Sequence, residues 1–304
     1  MGGRRARRVL SSVLGTGVIA LVLAAPSARA AFPGGNGVLV FDGGSLDNSI
    51  YTANADGTNL VTLLSNNFVN WYPAWSPDGT QIAFSSNMAG GNNYDIWLMA
   101  ADGTDLRRLT TSPARDDEPA WTPDGKRIVF VSTRSGNPDL WEINADGSGD
   151  VVQITHNPAA DVDPAVSPNG TTIAFSSSRS GNYDIWTIPT AGGVPRQLTT
   201  DTSGEDFPDW SPGGSRIVFD SHRSGSWGIY SMAASGGDLV KIIDTPANED
   251  LPVYSPDGSM IAFRSNQGSH ENIWVIPSGG GTPFQVTHTT TAFYELPDWQ
   301  PAAP

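Results

Sequence analysis

Short apolar triplets separated by turn-forming residues run along the chain from about residue 38 to its end. The clearest is Ile82-Ala83-Phe84, which returns as Ile128-Val129-Phe130, Ile173-Ala174-Phe175, Ile217-Val218-Phe219 and Ile261-Ala262-Phe263, with Leu39-Val40-Phe41 as the first copy. Runs this short, rich in β-branched and aromatic residues and bounded by Gly, Pro and Asp, read as buried strands. Three other pieces recur around each triplet. A Trp-type segment precedes it, from Pro73-Ala74-Trp75 to Pro297-Asp298-Trp299. Ile96-Trp97, Leu140-Trp141, Ile185-Trp186, Ile229-Tyr230, Ile273-Trp274 and Ile50-Tyr51 follow it. Leu109-Thr110, Ile154-Thr155, Leu198-Thr199, Ile242-Ile243, Val286-Thr287 and Leu63-Leu64 end the unit.

Trp75, Trp121, Val166, Trp210, Tyr254 and Trp299 open successive units 46, 45, 44, 44 and 45 residues apart. That period suits one four-stranded blade and is too long for a leucine-rich repeat. Pro77-Asp78-Gly79 and its copies put Pro where φ near −65° is wanted and Gly where φ is positive, closing the first hairpin. Asp56-Gly57, Asp102-Gly103, Asp146-Gly147, Gly192-Gly193, Gly236-Gly237 and Gly279-Gly280 mark the turn between third and fourth strands. The chain starts with a second strand near Leu39 and ends with a first strand near Trp299. The sequence therefore predicts an all-β, six-bladed β-propeller of four-stranded antiparallel blades, closed by pairing of the N- and C-terminal strands.

The motif x-Pro-x-Trp-Ser-Pro-Asp-Gly, followed by Ile-Ala-Phe and Asp-Ile-Trp, resembles the PD40 repeat of TolB-like propellers, related to WD40, in six copies. That resemblance implies a Trp-Ser-Pro strand innermost at the channel and a Leu-Thr strand outermost. TolB itself carries an α/β domain ahead of its propeller. Here only a leader precedes the first blade, so a stand-alone propeller is expected in place of a Tol-Pal component.

The leader covers residues 1–30: Arg4, Arg5, Arg7 and Arg8, an apolar run from Val13 to Ala25, and the small-residue site Ala28-Arg29-Ala30. The propeller is expected over 31–304, in a protein exported to the periplasm or medium without stable membrane insertion, by the general route or by a twin-arginine signal at Arg7-Arg8. With no cysteine, its stability has to come from burial. The whole chain carries a net charge of −14; losing the leader's five arginines leaves 12 Lys+Arg against 31 Asp+Glu, near −19. Such a surface disfavours nucleic acid and anionic lipid and favours cations or basic protein segments.

Candidate chemistry lies where the chain enters each innermost strand. Asp116, Asp117, Asp161, Asp163, Glu205, Asp206, Glu249, Asp250 and Glu295 occupy these loops, with Glu118 beside them, and only Asn70-Trp71 lacks a carboxylate. A six-fold ring gathers them at one channel mouth. Carboxylates about 10 Å apart repel by roughly 0.4 kcal/mol in water and about 1.7 kcal/mol at an effective dielectric of 20. Two readings stay open: Arg115, Arg134, Arg179 and Arg223 neutralise the ring, or its surplus charge attracts a cation or a basic protein segment. Arg134 and Arg179 also lie five residues before Asp139 and Asp184, a spacing that suggests ion pairs bracing the loop. The aromatic residues Trp97, Trp141, Trp186, Tyr230 and Trp274 read as packing between blades.

There is no Gly-x-Ser-x-Gly elbow, phosphate loop, His-Glu-x-x-His or EF-hand spacing, and no thiol. The expectation is a monomeric, non-catalytic binding propeller with no cofactor, no metal and no catalytic residues. The alternative is a metal-dependent polysaccharide lyase or hydrolase built from His156, His222, His270, His288 and Glu271. A structural role for the repeats, as in a surface layer, is a third reading.

Overall fold

The computed structural model describes residues 36–44, 49–91, 93–268 and 270–301. The leader expected over residues 1–30 lies outside them. Each sheet is a meander of four antiparallel strands, and six sheets form the ring. Blade 1 joins the innermost strand Phe293–Pro301 to Asn36–Gly44, Ser49–Ala53 and Val61–Leu64. Blade 2 runs Asn70–Trp75, Gln81–Ser86, Asp95–Ala100, Arg107–Arg108. Blade 3 runs Asp116–Trp121, Arg127–Ser132, Asp139–Asn144, Val152–Gln153. Blade 4 runs Asp161–Val166, Thr172–Ser177, Asp184–Pro189, Arg196–Gln197. Blade 5 runs Glu205–Trp210, Arg216–Ser221, Gly228–Ala233, Val240–Ile243. Blade 6 runs Glu249–Tyr254, Met260–Ser265, Asn272–Pro277, Phe284–Gln285. The two ends of the chain share blade 1, with Leu39 opposite Trp299 and Val40 opposite Asp298. This closure is the one the sequence predicts.

The core lies between blades, because strand alternation points successive residues of each triplet at opposite neighbours. Ile82 and Phe84 pack with Val40, Ile50 and Trp75 across the junction of blades 1 and 2, whereas Ala83 joins Ile128 and Phe130 across the next junction. Phe84, Phe130, Phe175 and Phe219 are fully buried. Each such ring contributes roughly 1.5–3 kcal/mol of transfer free energy. Two indoles add a hydrogen bond across the junction: Trp121 Nε1 donates to the Ala74 carbonyl and Trp210 Nε1 to the Ala165 carbonyl, both at 3.1 Å.

The outermost strands differ from the sequence expectation. In four blades the ladder residues are Arg107–Arg108, Val152–Gln153, Arg196–Gln197 and Phe284–Gln285, two residues ahead of the Leu-Thr pairs. The pair leaves the ladder for a physical reason. Leu109, Ile154 and Val286 turn inward and become buried. The threonine hydroxyl then takes the place of a backbone acceptor: Thr110, Thr155, Thr199 and Thr287 accept from the amides of Ile96, Leu140, Ile185 and Ile273 at 2.9–3.0 Å.

Candidate functional site

Every innermost strand starts with two paired residues, three in blade 1, and then bulges away from its neighbour. The bulged residues are Tyr72, Glu118, Asp163, Phe207, Leu251 and Leu296, all at φ between 49° and 56° and all followed by proline. This left-handed conformation costs a non-glycine residue about 1–2 kcal/mol. Proline supplies no amide to the ladder, and the bulged amide turns to the preceding blade. Glu118 N–H donates to Ser85 Oγ (3.1 Å), Asp163 N–H to Glu118 Oε2 (2.7 Å) and Leu251 N–H to Asp220 Oδ2 (2.9 Å). Deeper in the channel, Trp75 N–H donates to Asp298 at 2.7 Å and Tyr254 N–H to Asp209 at 2.8 Å. A cavity of about 190 Å³ runs along this axis between Tyr72, Trp75, Trp121, Phe207, Asp209 and Asp298.

The nine carboxylates read from the sequence separate into three groups. Asp116, Asp161, Glu205 and Glu249, the first residues of their strands, are fully buried inside the blades. Asp116 accepts from Ser132 and both its oxygens from Arg134; Asp161 does the same with Ser177 and Arg179; Glu205 pairs with Arg223. Glu249 accepts from the Thr245 amide and hydroxyl. The expected Arg134–Asp139 and Arg179–Asp184 pairs do not form. The loop folds each guanidinium back over the ring pairs Phe130/Trp141 and Phe175/Trp186, pointing it at its own innermost strand. Asp139 and Asp184 accept from Ser135 and Gln153, and from Ser180 and Gln197, instead.

The second group faces the mouth. Asp206, Asp250 and Glu295 line a cavity of about 310 Å³ together with Asp220, Trp227 and Arg264. Arg264 grips Asp250 through two nitrogens at 2.7 and 2.6 Å and reaches Glu295 at 2.7 Å. Asp117, on the opposite side, pairs with Arg115, which stacks over Tyr94 at 4.6 Å. Asp163, the third kind, is a bulged residue within the channel wall.

Burial is the leading cause that raises the proton affinity of this wall. It pushes Asp163 up to about 6, and Asp206, Asp209 and Asp298 up to about 7, while Asp220 and Glu118 rise well above the usual carboxylate range. Neighbouring carboxylates add to the shift: Asp163 and Glu205 act on Asp206, and Asp250 acts on Asp220. Glu295 also rises by burial, opposed by Arg264.

Arg264, Asp220 and Trp227 escaped the sequence reading. The first two occupy a variable column of the second strand, where Asp42, Ser85, Val131 and Ser176 stand in the other blades. That variation beside a repeated Phe was the available signal. The histidines do not assemble. His222 lies edge-on to Trp227 with ring centroids 5.5 Å apart, His270 and Glu271 line a separate cavity near Phe293, and His288 lines another near Leu60. Among the described residues no group of three or more His, Asp or Glu is placed to hold a metal ion. None of their helices is long and apolar enough to cross a membrane.

Six closed blades around a carboxylate-walled channel define the class: a β-propeller sealed by its terminal strands. The chain belongs to the TolB beta propeller domain (PD40) family, whose model matches residues 45–159, 148–242 and 205–303. The fold is similar to TolB from Acinetobacter baumannii, with TM-score 0.75, 21% identity, 87% of this chain and 67% of that one. It is also similar to a chain of Kuenenia stuttgartiensis hydrazine synthase, with TM-score 0.72, 18% identity, 88% of this chain and 47% of that one. A chain of a nidogen/laminin complex gives TM-score 0.71 at 10% identity, covering 86% and 98%. These likenesses concern the fold alone. No curated protein matches the sequence.

Proposed function

We propose that the protein is an exported, non-catalytic module that holds a protein partner by a basic segment at the acidic channel mouth. The observation that carries this reading is the excess of carboxyl groups over cations at the mouth cavity, where burial raises the proton affinity of Asp206 and Asp220 and an incoming cation favours their ionised form. Asp206, Asp220, Asp250 and Glu295 face it against the single guanidinium of Arg264. Long-range attraction acts in the same sense, since the chain carries 31 Asp+Glu against 17 Lys+Arg. Export rests on the leader pattern of residues 1–30, and the propeller is assigned to 31–304. A chain of this fold occurs in a nidogen/laminin complex, in keeping with a binding role.

The experiment is affinity capture from envelope and culture fractions with the wild-type protein and an Asp117→Asn/Asp206→Asn/Asp250→Asn variant. A partner that elutes with rising salt and is lost from the variant, assayed well below the variant's own melting temperature, is the expected result. Capture that is indifferent to both salt and the three substitutions excludes the acidic mouth as the binding surface.

A further inference from the structure

Blades 3 and 5 present related constellations at the mouth, differing in the cation and in one aromatic ring. In blade 3, Arg115 precedes the innermost strand, pairs with Asp117, and lies 4.6 Å over the Tyr94 ring and 5.8 Å over Trp71. The residues that correspond at blade 5 are Gly204 and Asp206, with Tyr183 of the preceding blade in the place of Tyr94 and Val162 in the place of Trp71. Carboxylate and phenol ring remain while the cation is replaced by hydrogen. Backbone geometry does not demand this glycine, because its φ lies outside the left-handed region. A Cβ there would lie 3.3 Å from Trp227 Cη2 and 3.8 Å from Asp206 Oδ2.

What stands around the gap is a socket for a cation. Among the described residues Asp206 forms no ion pair. Directly across the strand pair is Asp220, 1% exposed, whose Oδ2 accepts from Leu251 and whose Oδ1 has no hydrogen-bond partner. Asp206, Asp220 and the Trp227 ring line the same cavity. Two carboxylates facing each other across a strand pair cannot both ionise cheaply, which adds to burial in raising the proton affinity of Asp220, and an unpaired buried oxygen is costly. A cation brought from outside removes both costs. The donor set is too small for a metal, as among the described residues no three acids or histidines are placed to hold one. A planar guanidinium fits better, since it donates to two oxygens at once and stacks on an indole face.

We propose that this cavity takes the guanidinium group of an arginine side chain supplied by the partner, in the role that Arg115 fills from within blade 3. The proposal rests on the function inferred above and narrows it to one side chain. Its test needs no partner. The protein is titrated calorimetrically with N-acetyl-arginine amide and, as the neutral isostere, N-acetyl-citrulline amide. Weak binding of the arginine compound, about millimolar, and none of the citrulline compound are expected. Asp206→Asn weakens that binding at least about tenfold, a loss of about 1.4 kcal/mol. Gly204→Arg, which restores the internal cation, abolishes it while the melting temperature holds or rises. Absence of binding, equal binding of citrulline, displacement of the arginine compound by calcium chloride, or a Gly204→Arg variant that still binds would each overturn the proposal. If a captured partner binds the Gly204→Arg variant normally, the arginine socket is wrong and the binding function stands. If the small molecule binds as described but no partner is captured, the reverse holds.

Discussion

Arg134, Arg179 and Arg223 show how much a single residue carries in a repeat protein. Each closes a buried carboxylate at the start of its own innermost strand and covers two aromatic rings with the flat of its guanidinium. Asp161 is fully buried and Arg179 nearly so, so solvent screens the pair little. Removing one member leaves an uncompensated buried charge, which costs about 3–5 kcal/mol. Arg179→Ala is therefore expected to lower the melting temperature by at least about 6 °C, at roughly 2–4 °C per kcal/mol for a domain of this size. The double variant Arg179→Ala/Asp161→Asn, which also neutralises the carboxylate, recovers part of the loss. A single variant melting within a degree of wild type would mean that the carboxylate is solvated or protonated and that the pair is incidental.

At the scale of the element, the repeat fixes what a strand is but leaves open where it ends. The innermost, second and third strands were legible because the triplets and the Trp-type residues must face fixed neighbours in every blade. In four blades the outermost strand lies two residues ahead of the expected pair, because an apolar residue followed by threonine looks like strand while its side chains leave the ladder. Thr155 tests this account. Its hydroxyl accepts from the buried Leu140 amide at 3.0 Å, and an orphaned buried amide costs about 1–3 kcal/mol. Thr155→Val keeps the shape and is expected to destabilise by that amount and to speed hydrogen exchange at Leu140. Unchanged exchange there would show that the backbone has another acceptor. The same limit explains the site. Asp206, Asp250 and Glu295 were recognisable as acids in a recurring loop, but which of two adjacent acids turns into its blade depends on where the strand begins, and the gathering of Asp250 and Glu295 depends on Arg264. Neither is written in the spacing.

For the whole molecule, the channel decides how stability depends on pH. Asp163 at about 6 and Asp206, Asp209 and Asp298 at about 7 bind protons in the folded ring that an unfolded chain, near 3.8, has already released. The native state binds more protons than the unfolded state between these limits, so stability falls as pH rises. The contribution is complete below about pH 4 and lost through pH 7. The turn carboxylates Asp78, Asp124 and Asp257 work oppositely, since hydrogen bonds from neighbouring Ser, Thr or backbone N–H groups hold them low despite some burial, and their contribution disappears on strong acidification. The ring is thus expected to be most stable between about pH 4 and 6, and to melt several degrees lower at pH 8 than at pH 5.5. Asp209→Asn/Asp298→Asn keeps a carbonyl oxygen for the Tyr254 and Trp75 amides while removing two charges. That variant is expected to melt higher than wild type at pH 8 and to show a flatter profile, read by calorimetry across the range. A wild-type profile that is level or rises toward pH 8 would mean that these carboxylates stay ionised at the centre of the ring.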